Sequence, residues 1–135
     1  MLPQSSPQQD GNARAARIVY VIDDDASLQR ALRRLLERVG FSVRTFGCAE
    51  EFLQATHRPP PDCLVLDINL GALSGFDLHH RMVASGVLVP TIFITGYDDP
   101  ATRELVRKAG AAGYLPKPFE DQSLISAIEA ALVDS

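Results

Sequence analysis

Short apolar runs rich in β-branched residues alternate along this chain with longer segments in which apolar side chains return every three or four positions. The first run, Ile18-Val19-Tyr20-Val21-Ile22, is apolar without interruption and stops at Asp23-Asp24-Asp25, the pattern of a parallel strand buried on both faces. From Ala26 to Val39, Leu28, Leu32, Leu35, Leu36 and Val39 mark one helical face, and Gly40 ends the segment. Phe41 to Phe46 reads as a short alternating strand and Ala49 to Thr56 as a short helix. Arg58-Pro59-Pro60-Pro61 closes that helix, because a tri-proline fits neither a helix nor a central strand. Cys63-Leu64-Val65-Leu66 is a third strand ending at Asp67, and a polar, glycine-containing loop leads to a third helix, Phe76 to Ala84. Thr91 to Thr95 is the fourth strand. Asp98-Asp99-Pro100 starts the fourth helix, Ala101 to Ala109, and Gly110 breaks it. Ala111 to Leu115 is a weak fifth strand, and the last amphipathic helix opens at Phe119 and runs through Leu124, Ile125, Ile128 and Leu132.

Strands and helices in strict alternation predict an α/β fold, a doubly wound parallel sheet of five strands covered on both faces by five helices. In such a sheet ligands bind outside the carboxyl ends of the strands. Asp23 and Asp24 follow the first strand, Asp67 ends the third, Thr95 ends the fourth and Lys117 follows the fifth, so all should meet on one rim. Each has an ordinary structural explanation alone: an Asp can cap a helix, a Thr can shape a turn, a Lys can be a solvated charge. An acid pair, a single Asp, a hydroxyl and a Lys at successive strand ends is a pattern that those explanations do not produce together. Asp25 falls outside it and is read as the cap of the first helix.

With 135 residues, 46% of them hydrophobic, the chain suits one domain with one core. Met1 to Ala16 is rich in Gln, Ser and Pro and is expected to be a disordered arm, leaving 17–135 as the folded domain. A net charge of −4 speaks against a nucleic-acid surface on this segment. Cys48 and Cys63 have no CxxC or metal-ligand spacing, and His57, His79 and His80 lack ligand partners at suitable intervals. No apolar run approaches a membrane span and the first residues lack a signal-peptide core, so a cytoplasmic protein with no membrane partner is expected.

The rim residues suggest a chemistry. Three neighbouring carboxylates repel one another, which raises their pKa values or recruits a cation. A hard divalent cation with oxygen ligands, Mg²⁺ above all, suits few carboxylates plus water and a phosphate oxygen. With charge so offset, one carboxylate can act as nucleophile toward a phosphoryl donor, and what remains is positioning and stabilisation of the phosphoryl oxygens by Thr95 and Lys117.

The motifs VIDDD at Val21 to Asp25, LVLDINL at Leu64 to Leu70, PTIFITG at Pro90 to Gly96 and YLPKPF at Tyr114 to Phe119 together resemble response-regulator receiver domains of the CheY-like fold, from Arg17 to about Val133. The resemblance implies the flavodoxin-like strand order 2-1-3-4-5. It implies Asp67 as the phosphoacceptor, Asp23, Asp24 and Asp67 as Mg²⁺ ligands together with the backbone carbonyl of Asn69, and a cis peptide at Lys117-Pro118. Asn69 and Tyr97 would flank the phosphoryl group, and Thr95 and Tyr114 would form the switch pair that reshapes the fourth helix, fifth strand and fifth helix. A sensor histidine kinase is the implied partner, and a phosphorylation-dependent homodimer an implied response. Glu104, Arg107 and Lys108 are charges that could pair across such a dimer or simply be solvated. The pattern is similar to FixJ-type receivers, which usually carry a DNA-binding output domain; a free-standing receiver and part of a transcription factor both stay open. One position departs from the family: Gly71 stands where Pro is usual, which should loosen the loop after Asp67.

Two rival readings remain. A haloacid-dehalogenase-like phosphatase also uses a strand-end Asp with Mg²⁺, but needs a second Asp where Asn69 stands. A non-catalytic flavodoxin-like interaction module would carry the acidic rim incidentally.

Overall fold

A computed structural model describes residues 16–133 of the chain. The elements run β1 (Ile18–Ile22), α1 (Ala26–Arg38), β2 (Ser42–Phe46), α2 (Ala49–Gln54), β3 (Cys63–Asp67), α3 (Gly75–Ala84), β4 (Thr91–Thr95), α4 (Pro100–Lys108), β5 (Gly113–Pro116) and α5 (Asp121–Val133). All strand pairs are parallel, and the order is β2-β1-β3-β4-β5. The arm expected at Met1 to Ala16 lies outside the described residues up to position 15.

Alternate strand residues feed two apolar layers. Val19, Val21, Val43, Val65, Ile92 and Ile94 pack against Leu32, Leu35 and Leu36 of α1 and Leu124, Ile125 and Ile128 of α5. Tyr20, Ile22, Leu64, Leu66 and Phe93 point the other way, against Phe52 of α2, Leu78 and Met82 of α3 and Val106 of α4. The strands β3 and β4 are buried along their whole length, which is why they read as unbroken apolar runs. Pro116 is tolerated in β5 because β5 is an edge strand, where a missing N–H breaks no ladder bond on the open side. Cys63 is a buried core thiol whose ionisation is pushed up to about 12, first by burial and then by the charge of Asp62.

Several boundaries differ from the sequence expectation, for identifiable reasons. Phe41 is not in β2: its N–H closes the end of α1 on the Leu36 carbonyl, with Gly40 at φ 107° making the turn. Likewise Gly110, at φ 71°, and Ala111 finish α4, the N–H of Ala111 reaching the Val106 carbonyl, so β5 begins only at Gly113. Thr56 lies outside α2 because the backbone turns extended at Ala55, with ψ 154°, and the freed Thr56 carbonyl accepts from Arg44 at 2.6 Å. The last helix starts at Asp121 rather than Phe119, because Glu120 supplies the first carbonyl, to Ser123 at 3.0 Å. The helix-start assignments of Asp25 and Asp99 hold: Asp25 accepts from the N–H groups of Ser27 and Leu28, and Asp99 from that of Thr102 with Pro100 in the first turn. Glu104 and Arg107 pair with each other along α4.

Gly71 is not merely a freer residue. Its φ is +83°, in the left-handed region that a proline ring, held near −65°, cannot adopt. The loop therefore follows a path that the usual Pro would exclude. Replacing Gly71 with Ala should lower unfolding free energy in urea by about 1 kcal/mol, the usual cost of a Cβ in this region, and Gly71→Pro should lower it further. Equal midpoints for Gly71→Pro and the unmodified chain would contradict the observed backbone.

Candidate functional site

The sheet topology delivers the site. Strands β1 and β3 are neighbours in register, Ile22 opposite Leu66, so the residues that follow them emerge side by side. Asp23 is fully buried, Asp67 is 3% exposed, and Asp24 reaches into solvent. One carboxylate oxygen from each of the three lies within 4.8 Å of the others. From the far side of the sheet Lys117, after β5, reaches Asp23 Oδ2 at 2.8 Å and Asp67 Oδ2 at 3.2 Å. The peptide Lys117-Pro118 is cis, as the resemblance implies.

The second carboxylate oxygen of Asp23 and that of Asp67 are held by the backbone. The N–H of Asp25 donates to Asp23 Oδ1 at 2.8 Å and that of Asn69 to Asp67 Oδ1 at 3.0 Å. Burial raises the pKa of the Asp67 carboxyl. The Asn69 N–H opposes that rise, the Asp23 charge adds to it, and Lys117 only partly offsets it. Lys117 loses proton affinity through burial, yet its two carboxylate partners more than restore it and the net shift is upward. These two shifts point in different senses for an ion pair, since one ammonium is divided between two carboxylates while Asp67 bears the cost of leaving water.

Thr95, 1% exposed at the end of β4, donates its hydroxyl to Asn69 Oδ1 at 3.1 Å and accepts from the Tyr97 N–H at 3.0 Å. Its own carbonyl accepts from the Lys117 N–H at 2.7 Å. Asp23, Asp24, Asp67, Asn69, Thr95 and Lys117 thus come together at one rim. Tyr114 stands apart: its half-buried ring packs with the α4-side core, and its hydroxyl turns outward to Asp98 at 2.8 Å. Tyr97 presents an exposed side chain.

Two supporting residues escape a reading by sequence. Gln29 of α1 donates to the Asp23 carbonyl at 2.6 Å, clamping the turn that presents the acid pair. Gly75 sits against the backbone of Asp67 and Ile68, and a Cβ there would collide with the Asp67 carbonyl oxygen. A polar residue on the first turn and a buried glycine opening α3 are the faint signals of these contacts.

The family model of the response regulator receiver domain matches residues 19–129 of the chain. The chain belongs to the response regulator receiver family. Nodulation protein W of Bradyrhizobium diazoefficiens is 42% identical over 125 residues, 91% of this chain and 55% of that protein. Transcriptional regulatory protein FixJ of the same organism is 39% identical over 114 residues, 84% of this chain and 56% of that one. The receiver chain therefore spans about half the length of these curated relatives. The crystal structure of a response regulator receiver protein from Burkholderia phymatum superposes with a TM-score of 0.76 at 42% identity, over 87% of this chain and 95% of that chain. Among the described residues of this receiver no helix is long and apolar enough to cross a membrane.

The charge arrangement has a thermodynamic consequence. A carboxyl whose folded pKa is raised binds its proton more tightly in the folded than in the unfolded state, so stability falls as pH rises through the interval between the two values. Ionised Asp67 is thus a net cost at neutral pH without a cation. Asp67→Asn should raise the melting midpoint in EDTA at pH 7, and this gain over the unmodified chain should shrink as pH falls below the carboxylate range. A lower midpoint for Asp67→Asn at pH 7 would contradict it.

Proposed function

We propose that this receiver accepts a phosphoryl group on Asp67 from a sensor histidine kinase, with Mg²⁺, and that the modification resets the face formed by α4, β5 and α5. The observation that carries the reading is Asp67 itself: a nearly buried carboxylate beside two others, sharing Lys117 with Asp23. Three oxygen donors opposed by one ammonium leave the rim short of positive charge, which fits a hard divalent cation. Asp23, Asp24 and Asp67 would hold the ion through their carboxylates and Asn69 through its backbone carbonyl. When bound, the ion offsets the charge of these carboxylates and of the incoming phosphoryl oxygens.

The protein's part is positioning. The Asn69 N–H and Lys117 orient the Asp67 carboxylate, which attacks phosphorus as the bond to the donor breaks. Lys117 is placed to follow the new oxygens, and Thr95 to donate its hydroxyl to one of them in exchange for its present bond to Asn69. Asn69 and Tyr97, at the mouth of the site, would control how readily water reaches the acyl phosphate. Movement of Thr95 then opens space for Tyr114 to turn inward, the coupling by which a local charge selects one of two arrangements.

A phosphorylation-dependent homodimer through the α4–β5–α5 face is the proposed output. FixJ is a transcriptional regulator by name, and relatives of about twice this length support an output in transcription. The segment itself, with its net negative charge, is not proposed to bind nucleic acid.

Treatment with acetyl phosphate and Mg²⁺ should add one phosphoryl group, seen by intact-mass spectrometry, and Asp67→Asn should abolish the addition. Labelling of that variant at another residue would refute the acceptor assignment, and no labelling of the unmodified chain would return the non-catalytic module. Asp24→Ala should weaken Mg²⁺ binding at least tenfold by titration, about 1.4 kcal/mol. An unchanged affinity would remove Asp24 from the metal site.

A further inference from the structure

Asp98 lies in the loop between β4 and α4, three residues after Thr95, and has no capping duty because Asp99 performs it. Its Oδ1 accepts from two donors on two other elements, the Tyr114 hydroxyl of β5 at 2.8 Å and Arg103 Nε of α4 at 2.9 Å. A single carboxylate oxygen therefore ties the aromatic of β5 to the first turns of α4. The ring of Tyr114 is anchored in the core, its residue pairing with Phe93 in the sheet, while its hydroxyl is held at the outer edge. Thr95, meanwhile, spends its hydroxyl on Asn69. The members of the proposed switch pair are thus each engaged by a different neighbour.

We propose that Asp98 is a positioning residue for the switch: its carboxylate latches the Tyr114 hydroxyl outward, biasing the unphosphorylated domain toward its resting arrangement. The inference rests on the reading of Tyr114 as the switch aromatic and adds what opposes its inward turn. A bond made in one arrangement and lost in the other shifts the equilibrium between them, however exposed it is, because only differential interactions count. Arg103 keeps Asp98 aimed at β5, and both partners bear the mark of the contact. The phenol of Tyr114 is pushed up to about 12, by burial first and then by its bond to Asp98, while the Asp98 carboxyl is held below its usual range by Tyr114 and then by Arg103. Inward rotation of the ring breaks this tie and frees the start of α4 from β5.

The chain has three tyrosines, Tyr20, Tyr97 and Tyr114, and no tryptophan, so ring-labelled tyrosine resolves Tyr114 by NMR. In Asp98→Ala without a phosphodonor, the Tyr114 ring signals should move toward the positions they take in the unmodified chain after acetyl phosphate and Mg²⁺. The phosphorylation rate at subsaturating acetyl phosphate should rise about twofold or more, the size of shift expected when one modest hydrogen bond is lost. Asp98→Asn, which keeps an acceptor oxygen, should restore most of the resting signal. Added to Tyr114→Phe, Asp98→Ala should give no further rise in rate, since both remove the same bond.

Resting signals of Asp98→Ala identical to those of the unmodified chain, or additive rate effects in the double variant, would overturn the latch. If the Tyr114 signals of the unmodified chain move on phosphorylation and ignore Asp98→Ala, the latch alone fails. If they stay in place while Asp67 is labelled, the switch reading fails and the latch with it.

Discussion

Asp23 and Asp67 lie almost wholly out of water and share one ammonium, with Asp24 close beside them. That crowding of like charge is unfavourable taken alone, and much of the fold serves to impose it. Adjacent parallel strands in register make the two acids leave the sheet next to each other, and the apolar layers on either face keep those strands from separating. Backbone N–H groups then take the Oδ1 atoms of Asp23 and Asp67, favourable bonds that also fix where their Oδ2 atoms point. The repulsion is held in place by packing elsewhere in the molecule.

Close approach of backbone segments is the second requirement. The first turn of α3 lies against the peptide after Asp67, where only Gly75 leaves enough room, and the Gly75 N–H reaches the Ile68 carbonyl at 2.7 Å. On the other side Gln29 clamps the Asp23 carbonyl from α1. The loop beyond Asp67 passes through Gly71 in a left-handed conformation, so this receiver shapes that loop by a turn where its relatives are expected to use a proline. Its difference from the family pattern is one of path as well as freedom.

The strands and their order of chemistry were legible because buried parallel strands are short, apolar and end sharply in polar residues, as Ile22-Asp23 and Leu66-Asp67 do. Boundaries set by local hydrogen bonds were not: nothing in the composition of Phe41 or Ala111 says that its N–H will close the preceding helix. Contacts between distant positions were also hidden. The signature motif reveals Tyr114 as a switch candidate, yet its bond to Asp98 depends on how β5 sits beside the start of α4. The residue types allow that contact without requiring it. Asp98 and Asp99 looked alike as acids ahead of a helix, and only geometry separates the cap from the acceptor of Tyr114 and Arg103.

Thr95 is where the charged rim meets the rest of the domain. Its hydroxyl faces Asn69, two residues from Asp67, and its carbonyl holds the N–H of Lys117, whose ammonium spans Asp23 and Asp67. The same residue lies at the end of β4, paired with Pro116 of β5, two residues past Tyr114. On the proposed reading, a phosphoryl group on Asp67 competes with Asn69 for the hydroxyl and with Asp23 for the ammonium, so both exchanges pull on one short stretch of β4 and β5. A bond from Tyr114 to Asp98 opposes that pull at the other end of the stretch. The sensitivity of such a receiver would therefore be set by the balance between an interior charge site and an exposed carboxylate, and the exposed member can change without disturbing the chemistry at Asp67.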